Sequence, residues 1–231
     1  MYAALLLKCL ERIFHKKKNS GYVFKNTFLI PDKMAIPTLI FATNNQNKVA
    51  EIRHILNDRF NIKTLKDANI TIDIPEPYDT LEENAREKSS VIHTLTGVDC
   101  FSEDTGLEVA SLNGDPGVKS ARYAGEEANF KNNIDKLLAN MKGFTERDAQ
   151  FRTVISLLIK GKEYQFEGIC KGKILEEEKG DNGFGYDPVF VPNGSDKTFA
   201  EMGMDDKTIF SHRKKATQQL IDFLNQYDGK D

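Results

Sequence analysis

The stretch Phe101-Ser102-Glu103-Asp104-Thr105-Gly106-Leu107 constrains this chain more than any other. A short apolar run, Val98 to Phe101, leads into two adjacent carboxylates, a hydroxyl and a glycine; Leu107, Val109 and Leu112 follow. Such a pattern reads as a buried strand running out into a polar turn. A strand end over a cleft is a rigid mount for catalytic groups. Adjacent carboxylates repel, so they call for a cation, a proton or solvent between them. A hard cation such as Mg²⁺ meets that need with oxygen ligands. The bland alternative is an ordinary solvated turn, and the rest of the chain has to decide.

Upstream, Thr38-Leu39-Ile40-Phe41-Ala42 reads as a short buried strand, and Val49, Ile52, Ile55 and Leu56 trace a helical stripe. Between them lies the amide-rich loop Thr43-Asn44-Asn45-Gln46-Asn47-Lys48. A helix start offers unpaired N–H groups and a dipole that favours an anion. Lys48 adds a full charge. The loop lacks the Gly-rich spacing of a P-loop or dinucleotide fingerprint. Phosphate binding and plain capping by Asn45 or Asn47 both fit. Residues 61–65 and 71–74 read as two more strands. Glu76 stands between Pro75 and Pro77 on a stiff loop, suited to a metal ligand or to a solvated acid. Thr80 with Glu83 fits a capping box. Leu81, Ala85, Ile92 and Leu95 line the inner face of a helix ending near Gly97, and Lys88 on it reads as a surface lysine.

Downstream, Asn113-Gly114-Asp115-Pro116-Gly117 is a turn signal. Phe130, Ile134, Leu137, Leu138 and Met141 fall on one helical face and predict core. Residues 151–170 read as a hairpin turning at Lys160-Gly161-Lys162. The run Gly180 to Pro188 sets three glycines around Phe184 and Tyr186, which suits backbone approaching a flat ligand. Val189-Phe190-Val191 returns to strand. In the last helix Ser211 is the expected N-cap, and Ala216, Leu220, Phe223, Leu224 and Tyr227 form the buried face. His212 and Arg213 then sit in its first turn, where the dipole disfavours cations. Such a pair fits a ligand at the helix start or a charge that is simply tolerated there.

Composition excludes several classes. A chain of 231 residues with 39% apolar and 29% charged residues is expected to be globular. No apolar run is long enough to span a membrane. Cys9, Cys100 and Cys170 show neither metal-ligand spacing nor a disulfide framework, so a reducing, cytoplasmic setting is expected. The net charge of −3 hides a contrast: residues 1–33 hold seven Lys/Arg against two Asp/Glu. The remainder is acidic, which argues against nucleic-acid binding. Leu6, Leu10, Ile13 and Phe14 trace a short helical face followed by Lys16-Lys17-Lys18, a poor signal peptide because the charge follows the apolar part. A membrane-surface helix is one reading. The preferred one makes residues 1–33 an extension upstream of a start at Met34, with 34–231 one domain.

Taken together the motifs resemble the inosine triphosphate pyrophosphatase family, from about Thr38 to Tyr227. The resemblance rests on Ala42-Thr43-Asn44-Asn45 with Lys48, Glu76 with Thr80-Leu81-Glu82-Glu83-Asn84-Ala85, Ser102 to Leu107, Gly183 to Pro188, and Lys207 with Ser211-His212-Arg213. The family pattern usually has glycine at Asn44 and often aspartate at Glu103. Both changes are mild, since Asn tolerates left-handed backbone and Glu keeps the carboxylate. The resemblance implies an α/β fold with a long mixed central sheet, flanking helices and two lobes around a deep substrate cleft. It implies a homodimer that splits dITP, ITP and XTP into monophosphate and pyrophosphate. Glu76 and Asp104 would hold Mg²⁺, and Asp104 would accept the proton of water. Thr43, Asn44, Asn45, Gln46, Asn47 and Lys48 would cradle phosphate beside Thr105. Phe184, Gly185, Tyr186 and Asp187 would hold the base, with Lys207, His212 and Arg213 completing the site and the last two at the purine's 6-keto edge. Two other readings remain: a non-catalytic nucleotide sensor on the same scaffold, and a phosphatase releasing phosphate stepwise. Intact Glu76, Glu103 and Asp104 weigh against the sensor.

Overall fold

The acid pair lies inside a strand, not beyond its end. In the computed structural model, which describes residues 38–56 and 60–227, strand β3 runs unbroken over Cys100–Val109. Its acids and glycine are poor strand formers, but tertiary pairing overrides propensity. Strand β5, Asp148–Ile159, pairs with β3 along its whole length. Gly106 is a glycine for close approach, not for a turn: a Cβ there would lie 2.6 Å from the carbonyl oxygen of Gly117. Gly117 belongs to the two-residue strand β4, Pro116–Gly117, antiparallel to β3.

The sheet has the order β2-β1-β3-β5-β6-β7, with β4 beside β3. Strands β1, Thr38–Phe41, and β2, Asn61–Thr64, are parallel, as are β1 and β3. The hairpin of β5 and β6, Lys162–Ile174, and then β7, Phe190–Pro192, run antiparallel. The expected strand at 71–74 does not form. Ile72 and Ile74 instead pack half-buried on Ile40, Leu65 and Ile92. The segment enters Pro75, which has no N–H to give a ladder.

Five helices flank the sheet among the described residues: α1, Gln46–Leu56; α2, Leu81–Thr96; α3, Phe130–Asn140; α4, Met204–Phe210; and α5, His212–Gln226. Helices α1 and α5 cover one face, where Val49, Ile52, Ala216 and Leu220 meet Phe41 and Phe101. Helix α2 covers the other, setting Ile92 against Ile40 and Cys100, and Leu81 and Ala85 against Val154. A separate core beyond Leu107 joins α3 to Phe151, Phe190 and Phe199. These cores make two lobes, with the cleft between them.

Helix α2 starts at Thr80, whose hydroxyl oxygen accepts from the Glu83 N–H at 3.2 Å. The Glu83 carboxylate bonds the Thr80 hydroxyl, so only half of the expected capping box is made. No helix among the described residues is long and apolar enough to cross a membrane. The division of the chain falls after Ile36. The expected helical face of Leu6, Leu10, Ile13 and Phe14 lies outside the described residues.

Candidate active site

Along one edge of β3 the partner changes. Strand β1 pairs with it only as far as Phe101, and β4 joins at Leu107. Between them, from Ser102 to Gly106, that edge has no strand partner among the described residues, and the cleft opens there. Successive side chains of a strand point to opposite faces. Ser102 and Asp104 turn toward α2: Ser102 donates to the Ala85 carbonyl, and Asp104 accepts from Lys88 Nζ at 3.0 Å. Glu103 and Thr105 turn toward α1 and α5. Glu103 meets Arg213 Nε at 2.8 Å and Lys48 Nζ at 3.2 Å. The two neighbouring acids thus need no cation, proton or solvent between them. The pleat turns them to opposite faces, Asp104 onto Lys88 and Glu103 onto Arg213 and Lys48.

Lys88 is no surface lysine. It is buried, with its ammonium 2.6 Å from Glu76 Oε1 and 3.0 Å from Asp104 Oδ1. Arg122 reaches the other Glu76 oxygen at 3.2 Å. Burial and the nearby Glu76 charge push the Asp104 carboxyl up, and the pull of Lys88 and Lys48 does not reverse this. Burial also raises Glu76, but Lys88, Lys48 and Arg122 prevail and leave it below the usual range. For Glu103 burial is likewise outweighed, by Arg213 first and then Lys48, and its pKa falls to about 2. Two adjacent acids thus differ in chemistry: Glu103 is an anion at neutral pH, and Asp104 is the better base.

At the start of α1 the Asn45 carboxamide oxygen accepts the N–H groups of Asn47, at 3.0 Å, and Lys48, at 3.2 Å. Asn45 is therefore the cap, and it also lines the cleft beside Thr43, Asn44 and Lys48. Capping and ligand approach coexist in one loop. Gln46 and Asn47 are exposed at the helix start and do not line the cleft. Thr105 does, and its hydroxyl lies 2.6 Å from that of Thr153.

Across the cleft, Asp187 organises the glycine-rich loop. Its Oδ2 accepts the Phe184 N–H at 2.8 Å and Lys207 Nζ at 2.6 Å. A Cβ on Gly183, whose φ is +78°, would lie 2.1 Å from that oxygen, so the loop closes on the carboxylate only with glycine there. Lys207 sits on α4 and also binds Glu51 at 2.7 Å. Arg213 joins both sides: Nε and Nη2 hold Glu103, and Nη1 holds Glu51. Its charge at a helix start is offset by these carboxylates rather than by a ligand alone. His212 is not a cation. Burial, reinforced by Arg213 and Lys207, holds its pKa well below the usual imidazole value. Its ring stacks on Phe151, and Nδ1 is buried without a partner among the described residues.

These groups surround one cleft of about 290 Å³ that brings together Thr43, Asn44, Asn45, Lys48, Glu76, Asp104, Thr105, Phe184, Gly185, Tyr186, Asp187, Lys207, His212 and Arg213. Sequence reasoning missed Lys88, Glu51 and Phe130. The signal for Lys88 was present: position 88 continues the 81, 85, 92, 95 stripe of α2. Glu51 similarly interrupts the apolar face of α1. Phe130 was expected in the core, yet it is 41% exposed and lines the cleft. As the first residue of α3 it lies past the edge of the lobe's core.

Comparison with known proteins agrees with this architecture. Residues 39–223 match the Ham1 family. A Flavobacterium johnsoniae protein called dITP/XTP pyrophosphatase is 52% identical over 186 residues, 80% of this chain and 97% of that protein. The Staphylococcus aureus Ham1 protein superposes with a TM-score of 0.74 at 38% identity, over 81% of this chain and 98% of its own. A HAM1 protein from Coxiella burnetii gives 0.76 at 34% identity, covering 83% and 100%. The chain belongs to the Ham1 family, the inosine triphosphate pyrophosphatases that its five motifs resemble.

Proposed function

We propose that this chain hydrolyses the nonstandard purine nucleoside triphosphates dITP, ITP and XTP to monophosphate and pyrophosphate, removing them from the nucleotide pool. The observation that carries the reading is the convergence of Asp104 and Glu76 on Lys88 beside the start of α1. The triphosphate lies along that start, where the helix dipole, Thr43 and Lys48 meet its charge. Asp104 accepts the proton of the water that cleaves the bridge between the α- and β-phosphates. A carboxylate with a raised pKa does this better than an ordinary one. Lys88 holds Asp104 in place. Glu103 stays ionised and keeps Arg213 and Lys48 ordered. His212, neutral and lining the cleft, supplies a hydrogen-bonding edge to the base beside Phe184.

The acids present suit Mg²⁺. Both are hard oxygen donors, and both already converge on one cation, so they are placed to share another. Among the described residues no cluster of three or more His, Cys, Asp or Glu forms a cage. Mg²⁺ needs none, since it takes one or two carboxylates together with substrate phosphates. When bound by Glu76 and Asp104, it would neutralise and orient the phosphates. The family resemblance further supports a homodimer. The free thiols of Cys100 and Cys170 fit a reducing cytoplasm.

The test is product identification from a panel of purine triphosphates with Mg²⁺. Pyrophosphate and monophosphate from ITP, dITP and XTP are expected, with little turnover of ATP. Excess chelator should stop the reaction. Asp104→Asn should lower kcat at least a hundredfold with the melting temperature nearly unchanged. Phosphate as the released product, or binding without turnover, would defeat the reading. Light scattering checks the dimer.

A further inference from the structure

We infer that Phe130 is a further nucleoside-contacting residue, forming with Phe184 the two aromatic faces between which the base is held. The inference rests on the hydrolase reading and adds to it a residue from a different lobe element. By spacing, Phe130 belongs to the apolar stripe of α3, whose next members Ile134 and Leu137 are 2% and 0% exposed. Phe130 itself leaves the core and stands on the cleft wall at 41% exposure. Its ring centroid is 6.2 Å from that of Phe184, with the planes tilted by 48°. A flat base in contact with two aromatic planes needs about 7 Å between them, two carbon contacts of about 3.5 Å each. The gap is already within about 1 Å of that, and rotating the ring through its tilt completes the slot.

The supports of the two faces differ. Phe184 is tied by its own N–H to Asp187 at 2.8 Å and lies over Lys207, so it is the stationary face. Phe130 has a fixed backbone and an exposed ring. Asn129 caps α3 by accepting the Asn132 N–H at 3.0 Å, and Asn133 ties the helix to Ala121 at 2.9 Å and Ala124 at 2.7 Å. A fixed hinge under a rotatable ring lets the slot admit a base and close on it. A lone exposed aromatic is ordinary in itself. Phe144 is one, 44% exposed and absent from the cleft wall. It supplies the control.

The chain contains no tryptophan, so Phe130→Trp and Phe144→Trp each introduce a single indole reporter. The emission of the Phe130→Trp protein should be quenched by IMP, saturating at the concentrations that inhibit ITP hydrolysis, and should ignore Mg-pyrophosphate, which has no base. The Phe144→Trp protein should respond to neither. Phe130→Ala should raise KM for ITP and Ki for IMP roughly fivefold or more, the scale of losing a base–aromatic contact. Its kcat should stay within about twofold, its Ki for pyrophosphate should not change, and Phe130→Tyr should restore wild-type constants. Silence of the Phe130→Trp protein toward IMP while ITP is still hydrolysed would overturn the inference, as would wild-type KM and Ki in Phe130→Ala. If the wild-type chain neither hydrolyses ITP nor binds IMP, the hydrolase reading fails first and takes this one with it.

Discussion

Glu103 and Asp104 are joined by one peptide bond and titrate in opposite directions. Glu103, depressed from 4.5 to about 2, contributes stability that is fully present above pH 4.5. That stability is lost as pH falls toward 2, because protonation is resisted only in the folded state. The shift corresponds to about 3 kcal/mol. Glu103→Gln should therefore be less stable than wild type by about that much at pH 7, and denaturant unfolding should show the gap closing between pH 4.5 and 2. A gap that stays constant with pH would mean that Glu103 is not held as an anion. Arg213 is bound to the same network. Arg213→Ala leaves buried Glu103 with only Lys48 and buried Glu51 with only Lys207, and should cost up to about 3–5 kcal/mol of stability, which urea titration measures. Base selection is then better read at His212, whose side chain has no charged partner to lose. His212→Ala should lower the ratio of kcat/KM for ITP over ATP by about tenfold, the scale of one buried hydrogen bond. Equal losses on both substrates would assign His212 to packing on Phe151 instead.

The position of these residues is set one level up, by how α5 meets the sheet. The helix packs on β6 at Gly168, where an added Cβ would lie 2.0 Å from the His212 carbonyl oxygen and 2.5 Å from the Ala216 nitrogen. Backbone on both sides leaves no flexible atom to give way. Gly168→Ala should push the first turn of α5 off β6, carrying His212 and Arg213 with it. The expected cost is about 1–3 kcal/mol, seen as a lower melting temperature, together with a loss of kcat/KM on every triphosphate. A variant with wild-type kinetics would show that the helix start has more freedom than this packing allows. Strand β3 shows the same dependence on neighbours. Its Glu-Asp-Thr-Gly run reads as a turn by local preference, and becomes strand because β5 pairs along all of it and Gly117 needs the space beside Gly106.

At the scale of the whole molecule, the family match begins at residue 39 and the chain divides after Ile36. A chain starting at Met34 should accordingly keep the melting temperature and the kinetics of the full one. A drop of several degrees would show that residues 1–33 contribute to the folded body. Much of the site was legible without a fold. Thr43 to Lys48, Glu76, Asp104, Phe184 to Asp187 and His212-Arg213 are local motifs whose residue types carry their chemistry, so their order along the chain already named the reaction class. Gln46 and Asn47 stand outside the cleft lining because a motif marks a whole loop, and only some of its residues turn inward. Helices announced themselves by the period of their apolar stripes, whereas the segment 71–74 failed as a strand because alternation says nothing about a partner. The sequence by itself thus determined which groups are present and which segments can be helix or strand, because those depend on neighbours along the chain. Only the tertiary structure decided that Glu103 and Asp104 face opposite ways, that Lys88 is buried between two acids, and that Phe130 leaves the core for the cleft. Those outcomes depend on what packs against each side chain from distant segments, and burial then sets both its charge and its use.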